Sequence, residues 1–273
     1  LASAPLGVFD SGVGGLTVLK SLVEKLPNED FIYLGDTARV PYGSKPLGMV
    51  RGFAKEISLE LISRGVKGII IACNTASSAS LPALADELPV PVWGVVEPGV
   101  EAAKKVSKGH VGVLATPGTV KSQAYQSRLE QAGLVVWAKA CPLFVPIVEE
   151  GISDGQIAEL VARHYLSERP EIDTAILGCT HYPALKNILH TVLGHTVTLV
   201  DSAEETANVV MKDLTTMHLL NTKTQKGSVH HLVSGDTGSY EHTAKILGGP
   251  DGTIERIHFT RELKELKATS NEQ

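Results

Sequence analysis

The sequence predicts an α/β protein built as two related, doubly wound domains with parallel-sheet cores. An internal pseudo-twofold duplication relates them, and the site is expected in the cleft between them. Three observations carry this reading. Short β-branched runs alternate with longer stretches of helical periodicity. A series of landmarks recurs along the chain at a nearly constant offset. The length of 273 residues, with 43% hydrophobic and 20% charged residues, suits one large globular domain or two ordinary ones.

The strand-like runs, in order, are Leu6–Phe9, Phe31–Leu34, Ile69–Ala72, Val92–Val95, Val111–Ala115, Ala175–Leu177, Val197–Val200 and Val229–Val233. They are continuous apolar runs, as expected of parallel strands buried on both faces. Helical spacing lies between them. In Gly15–Leu26 the apolar positions are Leu16, Leu19, Leu22, Val23 and Leu26, and in Met49–Arg64 they include Phe53, Ile57, Leu61 and Ile62. Strands separated by helices imply βαβ units and a parallel sheet. The tail, Glu262–Gln273, is polar and is expected as a surface helix end or a frayed terminus.

Self-comparison gives the domain plan. Gly7-Val8 recurs as Gly112-Val113 and Val40-Pro41 as Val145-Pro146, each 105 residues on. The run ending Ala72-Cys73-Asn74-Thr75 is matched 106 residues on by Gly178-Cys179-Thr180-His181, and Val96-Glu97 is echoed by Val200-Asp201 at 104. Any one match is cheap, but four in one order are hard to obtain by chance. The repeats cover 1–97 and 106–201, and the remainder is too short for a third domain. The expected division is residues 1–97 plus 206–273 as one αβ domain and 98–205 as the other.

Composition excludes several function classes. With 25 Lys+Arg against 30 Asp+Glu, the net charge of −5 lacks the basic footprint of a nucleic-acid binder. No apolar stretch is long enough to span a membrane. Leu1–Gly7 has neither the basic nor the apolar segment of a signal peptide. Three cysteines without CxxC spacing argue against a disulfide framework or zinc ribbon and fit a reducing compartment. His230-His231 is no metal pair, because adjacent residues on a strand point to opposite faces. Without HExxH or a Cys/His set, no metal site is expected.

Each repeat places a cysteine just past the carboxyl end of a strand, where open parallel sheets bind ligands. Cys73 runs into a helix, whose N-terminus is expected to lower the thiol's pKa. Cys179 precedes Thr180 and His181, and the imidazole could orient or deprotonate it. Cys141, without polar neighbours, reads as a small buried hydrophobe. Asp10, in Phe9-Asp10-Ser11-Gly12-Val13-Gly14-Gly15, is either a helix cap or part of a site whose glycines admit a ligand close to the backbone. That loop is neither a dinucleotide fingerprint nor a P-loop, since Thr17 holds the third glycine position and Gly-Lys-Ser/Thr is missing. Pro41-Tyr42-Gly43-Ser44 is a turn able to offer backbone amides. Thr116-Pro117-Gly118-Thr119 is the repeat counterpart of the Asp10 loop. Glu149-Glu150 precede Gly151, with Glu150 read as surface charge. Two thiols on opposite faces of one small substrate suggest proton removal by one and proton return by the other, giving the mirror image without metal or cofactor.

Four motifs then closely resemble the bacterial glutamate racemase family: Phe9 to Val18, Tyr33 to Gly43, Ala72-Cys73-Asn74-Thr75-Ala76, and Gly178-Cys179-Thr180-His181-Tyr182-Pro183. The resemblance runs from about residue 6 to residue 260. It implies cofactor-independent interconversion of L- and D-glutamate, which supplies D-glutamate for peptidoglycan in the cytoplasm. It also implies two αβ domains flanking the site and, often, a homodimer. By matching motif, Cys73 acts toward D-glutamate with help from Asp10. Cys179 acts toward L-glutamate with help from His181 and Glu149. Asp10, Ser11, Tyr42, Gly43, Asn74, Thr75, Thr116, Thr119, Thr180 and His181 contact the substrate. The rival readings are a racemase of another substrate such as aspartate or a hydantoin, a cysteine hydrolase using one thiol with His181, and a non-catalytic two-domain binding module. A substrate panel separates the first, full activity of Cys73→Ser would favour the second, and absence of any turnover the third.

Overall fold

Fully buried apolar runs become the inner strands of two sheets. The computed structural model describes residues 1–259, so the polar tail Glu262–Gln273 lies outside the described residues. The chain runs β1 (Leu6–Asp10), α1 (Leu16–Lys25), β2 (Phe31–Gly35), α2 (Leu47–Ser63), β3 (Gly68–Ile71), α3 (Asn74–Glu87), β4 (Val92–Gly94) and α4 (Val96–Val106). It continues through β5 (His110–Ala115), α5 (Pro117–Ser122), α6 (Ala124–Gln131), β6 (Val135–Ala140), α7 (Phe144–Glu149), α8 (Gly155–Leu166) and β7 (Thr174–Gly178). A 3₁₀ turn, Tyr182–Leu185, leads into α9 (Lys186–Leu193), and β8 (Thr198–Val200), α10 (Ala203–Thr216), β9 (Val229–Val233), α11 (Thr237–Ile246) and β10 (Thr253–Arg256) follow. In α2 the buried residues Val50, Phe53, Ala54, Ile57, Ser58 and Leu61 fall on one face, as a 3.6-residue period requires.

The first sheet has the order β10-β9-β2-β1-β3-β4 and the second β6-β5-β7-β8, with every pair parallel. The order β2-β1-β3-β4 is therefore repeated as β6-β5-β7-β8, which is the predicted duplication. The register makes it residue-specific. Gly7 lies opposite Ile32 and Ile69, and Gly112 lies opposite Trp137 and Ala175. Equivalent positions are thus 105 apart in β1/β5 and β2/β6, and 106 apart in β3/β7. One landmark is not equivalent. Val200 pairs with Ile176 as Trp93 pairs with Ile70, whereas Val96 already begins α4. The offset there is 107, and the match at 104 was a chance apolar–acid recurrence. Val40-Pro41 and Val145-Pro146 do follow equivalent strands, but the first is in a loop and the second inside α7.

Both faces of each sheet are covered. Leu6, Val8, Phe31 and Tyr33 pack under α1 and α10, while Phe9, Leu34, Ile69 and Ile71 face α2 and α3. In the second sheet Leu114, Ala175 and Leu177 face α8 and α9, and Val111, Val113 and Ile176 face α4 and α6. This alternation sends successive side chains to opposite layers. At the amino ends of the first sheet, the buried Lys67 donates to Glu29 (2.5 Å) and to the carbonyls of Ala2 (2.6 Å) and Leu219 (2.8 Å). Glu29 also accepts from the Asn221 N–H at 2.7 Å, which ties the segment after α10 to this edge. Among the described residues no helix is long and apolar enough to cross a membrane. Cys73, Cys141 and Cys179 are all free and buried.

Candidate active site

In a doubly wound sheet, loops leave neighbouring strands in opposite directions where the strand order reverses, and a crevice opens there. These positions are β1/β3 and β5/β7. The two crevices share one cavity of about 320 Å³. Its first wall is formed by Ser11 and Gly12 after β1, the 40–44 loop after β2, and Cys73, Asn74 and Thr75 after β3. The second wall comprises Thr116 and Pro117 after β5, Pro142, Val145, Pro146 and Glu149 after β6, and Cys179, Thr180 and His181 after β7. Among the described residues no lysine or arginine lines the cavity.

Cys73 is the N-cap of α3, and its Sγ accepts from the Ala76 N–H at 3.4 Å and lies 3.8 Å from Ser11 Oγ. The sequence predicts a lowered thiol pKa here, but the structure reverses the direction. Burial, with the nearby charge of Asp10, pushes Cys73 up to about 12, and the bonds to Ala76 and Ser11 only partly oppose it. The helix terminus is present, but desolvation of a thiolate outweighs it. Cys179 Sγ sits 3.9 Å from His181 Nδ1, and His181 Nε2 is 3.0 Å from Glu149 Oε1. Burial by itself would lower the His181 pKa. Its hydrogen bonds with Cys179 and Glu149, and the charge of Asp10, carry it up to about 10. The direction favours a protonated imidazole beside the sulfur.

Asp10 and Thr119 do not line the cavity and stand one layer behind it. Asp10 is fully buried. Its carboxylate accepts from the Gly12 N–H at 2.9 Å and from Thr180 Oγ at 3.4 Å, so its contacts lead to the Cys179 wall, and its charge is felt at Cys73 without a hydrogen bond. Burial raises its pKa, against the charge of His181 and the N–H groups of Gly12 and Gly15. Thr75, Thr116 and Thr119 form a hydroxyl triangle (2.8, 3.2 and 3.1 Å) joining the two walls. Beside it the Gly118 N–H donates to the Gly43 carbonyl at 2.7 Å. Tyr42 reaches the cavity with its hydroxyl donating to the buried Asp36.

Sequence reasoning missed Asp36. Its carboxylate also accepts from Arg39 Nε at 2.7 Å and Ser234 Oγ at 2.7 Å, and so pins the loop that carries Tyr42 and Gly43. It stood within a quoted motif, but its partner Ser234 lies 198 residues away, which no local pattern reveals. The inner wall positions Pro142, Val145 and Pro146 were also unassigned. Among the described residues, no three His, Cys, Asp or Glu side chains form a metal cluster. His230 bonds Thr253 and Glu255 on the outer side, while the buried His231 bonds Tyr240 and the Pro250 carbonyl, so the two rings do point apart.

Residues 8–210 match the family described as Asp/Glu/Hydantoin racemase. The glutamate racemase of Thermus thermophilus is 54% identical over 255 residues, covering 93% of this chain and 96% of that protein. The crystal structure of a Thermus thermophilus glutamate racemase in complex with β-chloro-D-alanine superposes with a TM-score of 0.88 at 53% identity, covering 94% of this chain and 98% of that one. The Francisella tularensis glutamate racemase in complex with D-glutamate gives a TM-score of 0.89 at 37% identity, covering 95% and 99%.

Proposed function

The chain belongs to the Asp/Glu/Hydantoin racemase family, and from that premise we propose that it interconverts L- and D-glutamate by passing the α-proton between Cys73 and Cys179. The observation that carries the mechanism is the placement of both thiols at equivalent positions of two duplicated sheets, on opposite walls of one cavity. A planar carbanion between them is open to a proton from either side.

The protonation states suit one direction of entry. Cys73 is held as a thiol, and the imidazolium of His181 places positive charge beside Cys179. With L-glutamate bound, Cys179 as thiolate takes the α-proton and Cys73 gives up its own to the opposite face. The product is D-glutamate, with Cys73 now the thiolate and Cys179 the thiol. This swapped form is the one that accepts D-glutamate, so the reverse reaction restores the first state. The charge of Asp10 disfavours the Cys73 thiolate, so Cys73 keeps its proton until the carbanion at the α-carbon takes it, and Glu149 holds His181 in place. The N–H groups of Cys73-Asn74-Thr75 at the start of α3, with those of the 42–43 turn, supply hydrogen bonds to carboxylates in a cavity that no lysine or arginine among the described residues lines. Ser11, Thr116 and Thr180 add hydroxyls. Thr119 supports them through Thr116.

With this reading go supply of D-glutamate to peptidoglycan, a cytoplasmic location and a homodimer, and a division into 1–97 with 206–273 and 98–205; the joining of β9 and β10 to the first sheet supports that division, and residues 260–273 lie outside the described residues. The substrate is tested by following loss of optical activity for L-glutamate, L-aspartate and a hydantoin at equal concentration. Turnover of glutamate well above the others is expected, and equal turnover of aspartate would overturn the assignment.

A further inference from the structure

One buried tyrosine touches the chain next to both cysteines. Tyr125, on α6 of the second wall, is fully buried. Its hydroxyl donates to Asn74 Oδ1 on the first wall at 2.6 Å. Asn74 immediately follows Cys73 and lines the cavity. The ring itself is wedged among glycines. A Cβ at Gly178, immediately before Cys179, would stand 3.4 Å from Tyr125 Cε2, and one at Gly99 in α4 would stand 3.1 Å from both Cε1 and the hydroxyl. The ring thus lies close against the backbone of the Cys179 strand on one edge and of α4 on the other.

The hydrogen bond fixes which end of the Asn74 carboxamide meets the cavity. Burial pushes the Tyr125 pKa up, so the phenol keeps its proton and has it to give. An amide oxygen engaged by that proton turns the amide nitrogen, with its two N–H donors, the other way. Among the described residues that nitrogen has no protein acceptor, and it is not among the buried atoms lacking a partner. It is open to the cavity. For a substrate bearing carboxylates, two donors attract where a carbonyl oxygen would repel.

We infer that Tyr125 is a positioning residue of this enzyme: it locks the Asn74 carboxamide with its donors toward the substrate carboxylate and ties that donor to the strand that presents Cys179. This rests on the glutamate reading, and it assigns a role to a residue that never meets the substrate. Freed from Tyr125, the amide can rotate and present its oxygen, which weakens ground state and transition state alike. The loss therefore falls on KM and leaves kcat in place.

The test is Tyr125→Phe, which keeps the ring in its slot and removes only the hydroxyl, combined in a cycle with Asn74→Ala. Tyr125→Phe is expected to raise KM for both enantiomers about fivefold to tenfold, the worth of one lost hydrogen bond. In the Asn74→Ala background it should change KM no further. An unchanged KM, or the same fold-rise in both backgrounds, overturns the inference. A substrate-free readout separates it from the glutamate assignment. In ¹⁵N-labelled protein the Asn74 side-chain NH₂ signals should shift and broaden on Tyr125→Phe, and identical signals in the two proteins would contradict the lock. Failure of the wild-type enzyme to turn over glutamate would sink the substrate assignment alone, with the NMR comparison still deciding this one.

Discussion

Gly14→Ala should cripple catalysis although it replaces no catalytic side chain. A Cβ at Gly14 would lie 2.3 Å from Thr180 Oγ and 2.5 Å from both Cε1 and Nδ1 of His181. Ordinary contact begins at 3.4 Å. The imidazole or the loop must therefore yield by about 1 Å, and a displacement of that size beside reacting groups costs on the order of 100-fold in rate. Neither partner has an easy escape, since Thr180 and His181 are 6% and 4% exposed and His181 is held on its far side by Glu149. Gly14 has no left-handed backbone to defend, so the effect comes from the contact alone. The assay is the initial rate of L- and of D-glutamate racemisation. Because enantiomers have equal free energy, kcat/KM must fall by the same factor in both directions, and only the individual kcat values can differ. Gly48→Ala is the matched control: among the described residues its Cβ would meet nothing within 4 Å near the start of α2. It should leave activity intact and add up to about 1 kcal/mol of stability. A Gly14→Ala enzyme within threefold of wild type would refute the claim that this loop packs against the Cys179 machinery.

Other expectations follow from the same geometry. Cys73→Ser and Cys179→Ser should each abolish racemisation, as followed by circular dichroism, and a half-active variant of either would break the two-base scheme. Lys67→Met breaks an ion pair in which both partners are at most 2% exposed. It should cost about 3–5 kcal/mol in urea unfolding while leaving kcat unchanged below the transition, and a loss under about 1 kcal/mol would contradict the buried pair. His181 is raised in the fold, so its contribution to stability is complete below its ordinary value of 6.5 and drains away as pH rises through about 10. The melting temperature should therefore decline across that range, and the decline should be shallower in His181→Asn; parallel profiles would argue that His181 is not held protonated.

What could be read from the sequence depended on burial. The strands β1, β3 and β7 are buried along their full length, and their unbroken apolar runs announce them. β6 and β10 went unread. Both are edge strands, each paired on one side only. β6 mixes Trp137 and Lys139 on a half-exposed surface, and all four residues of β10 are exposed. Edge position alone is not the reason, since β4 and β8 are edges too and their Val-rich runs are legible; β6 and β10 carry exposed and charged positions that break the apolar run. The duplication survived because register preserves it, while the Val96/Val200 match failed because it sits three residues from the true register, in which Val200 is equivalent to Trp93, and only the strand pairing reveals that. At the site, both cysteines were legible as strand-end residues at matched positions. Asp36 and Tyr125 were not, since their partners Ser234 and Asn74 lie far along the chain. The raised thiol of Cys73 shows the same limit: a helix terminus can be seen in a sequence, whereas the burial that outweighs it cannot.

The proposed mechanism is proton exchange at the α-carbon between two protein thiols. The most direct test is L-glutamate with the purified enzyme in deuterated water, in the presence of EDTA and without added cofactor, followed by circular dichroism together with α-deuterium content. The account predicts that the signal decays to zero as deuterium enters the α-position, with the newly formed D-glutamate fully deuterated from the first turnovers. Racemisation with the original α-hydrogen carried into the product would contradict two separate thiols exchanging with solvent.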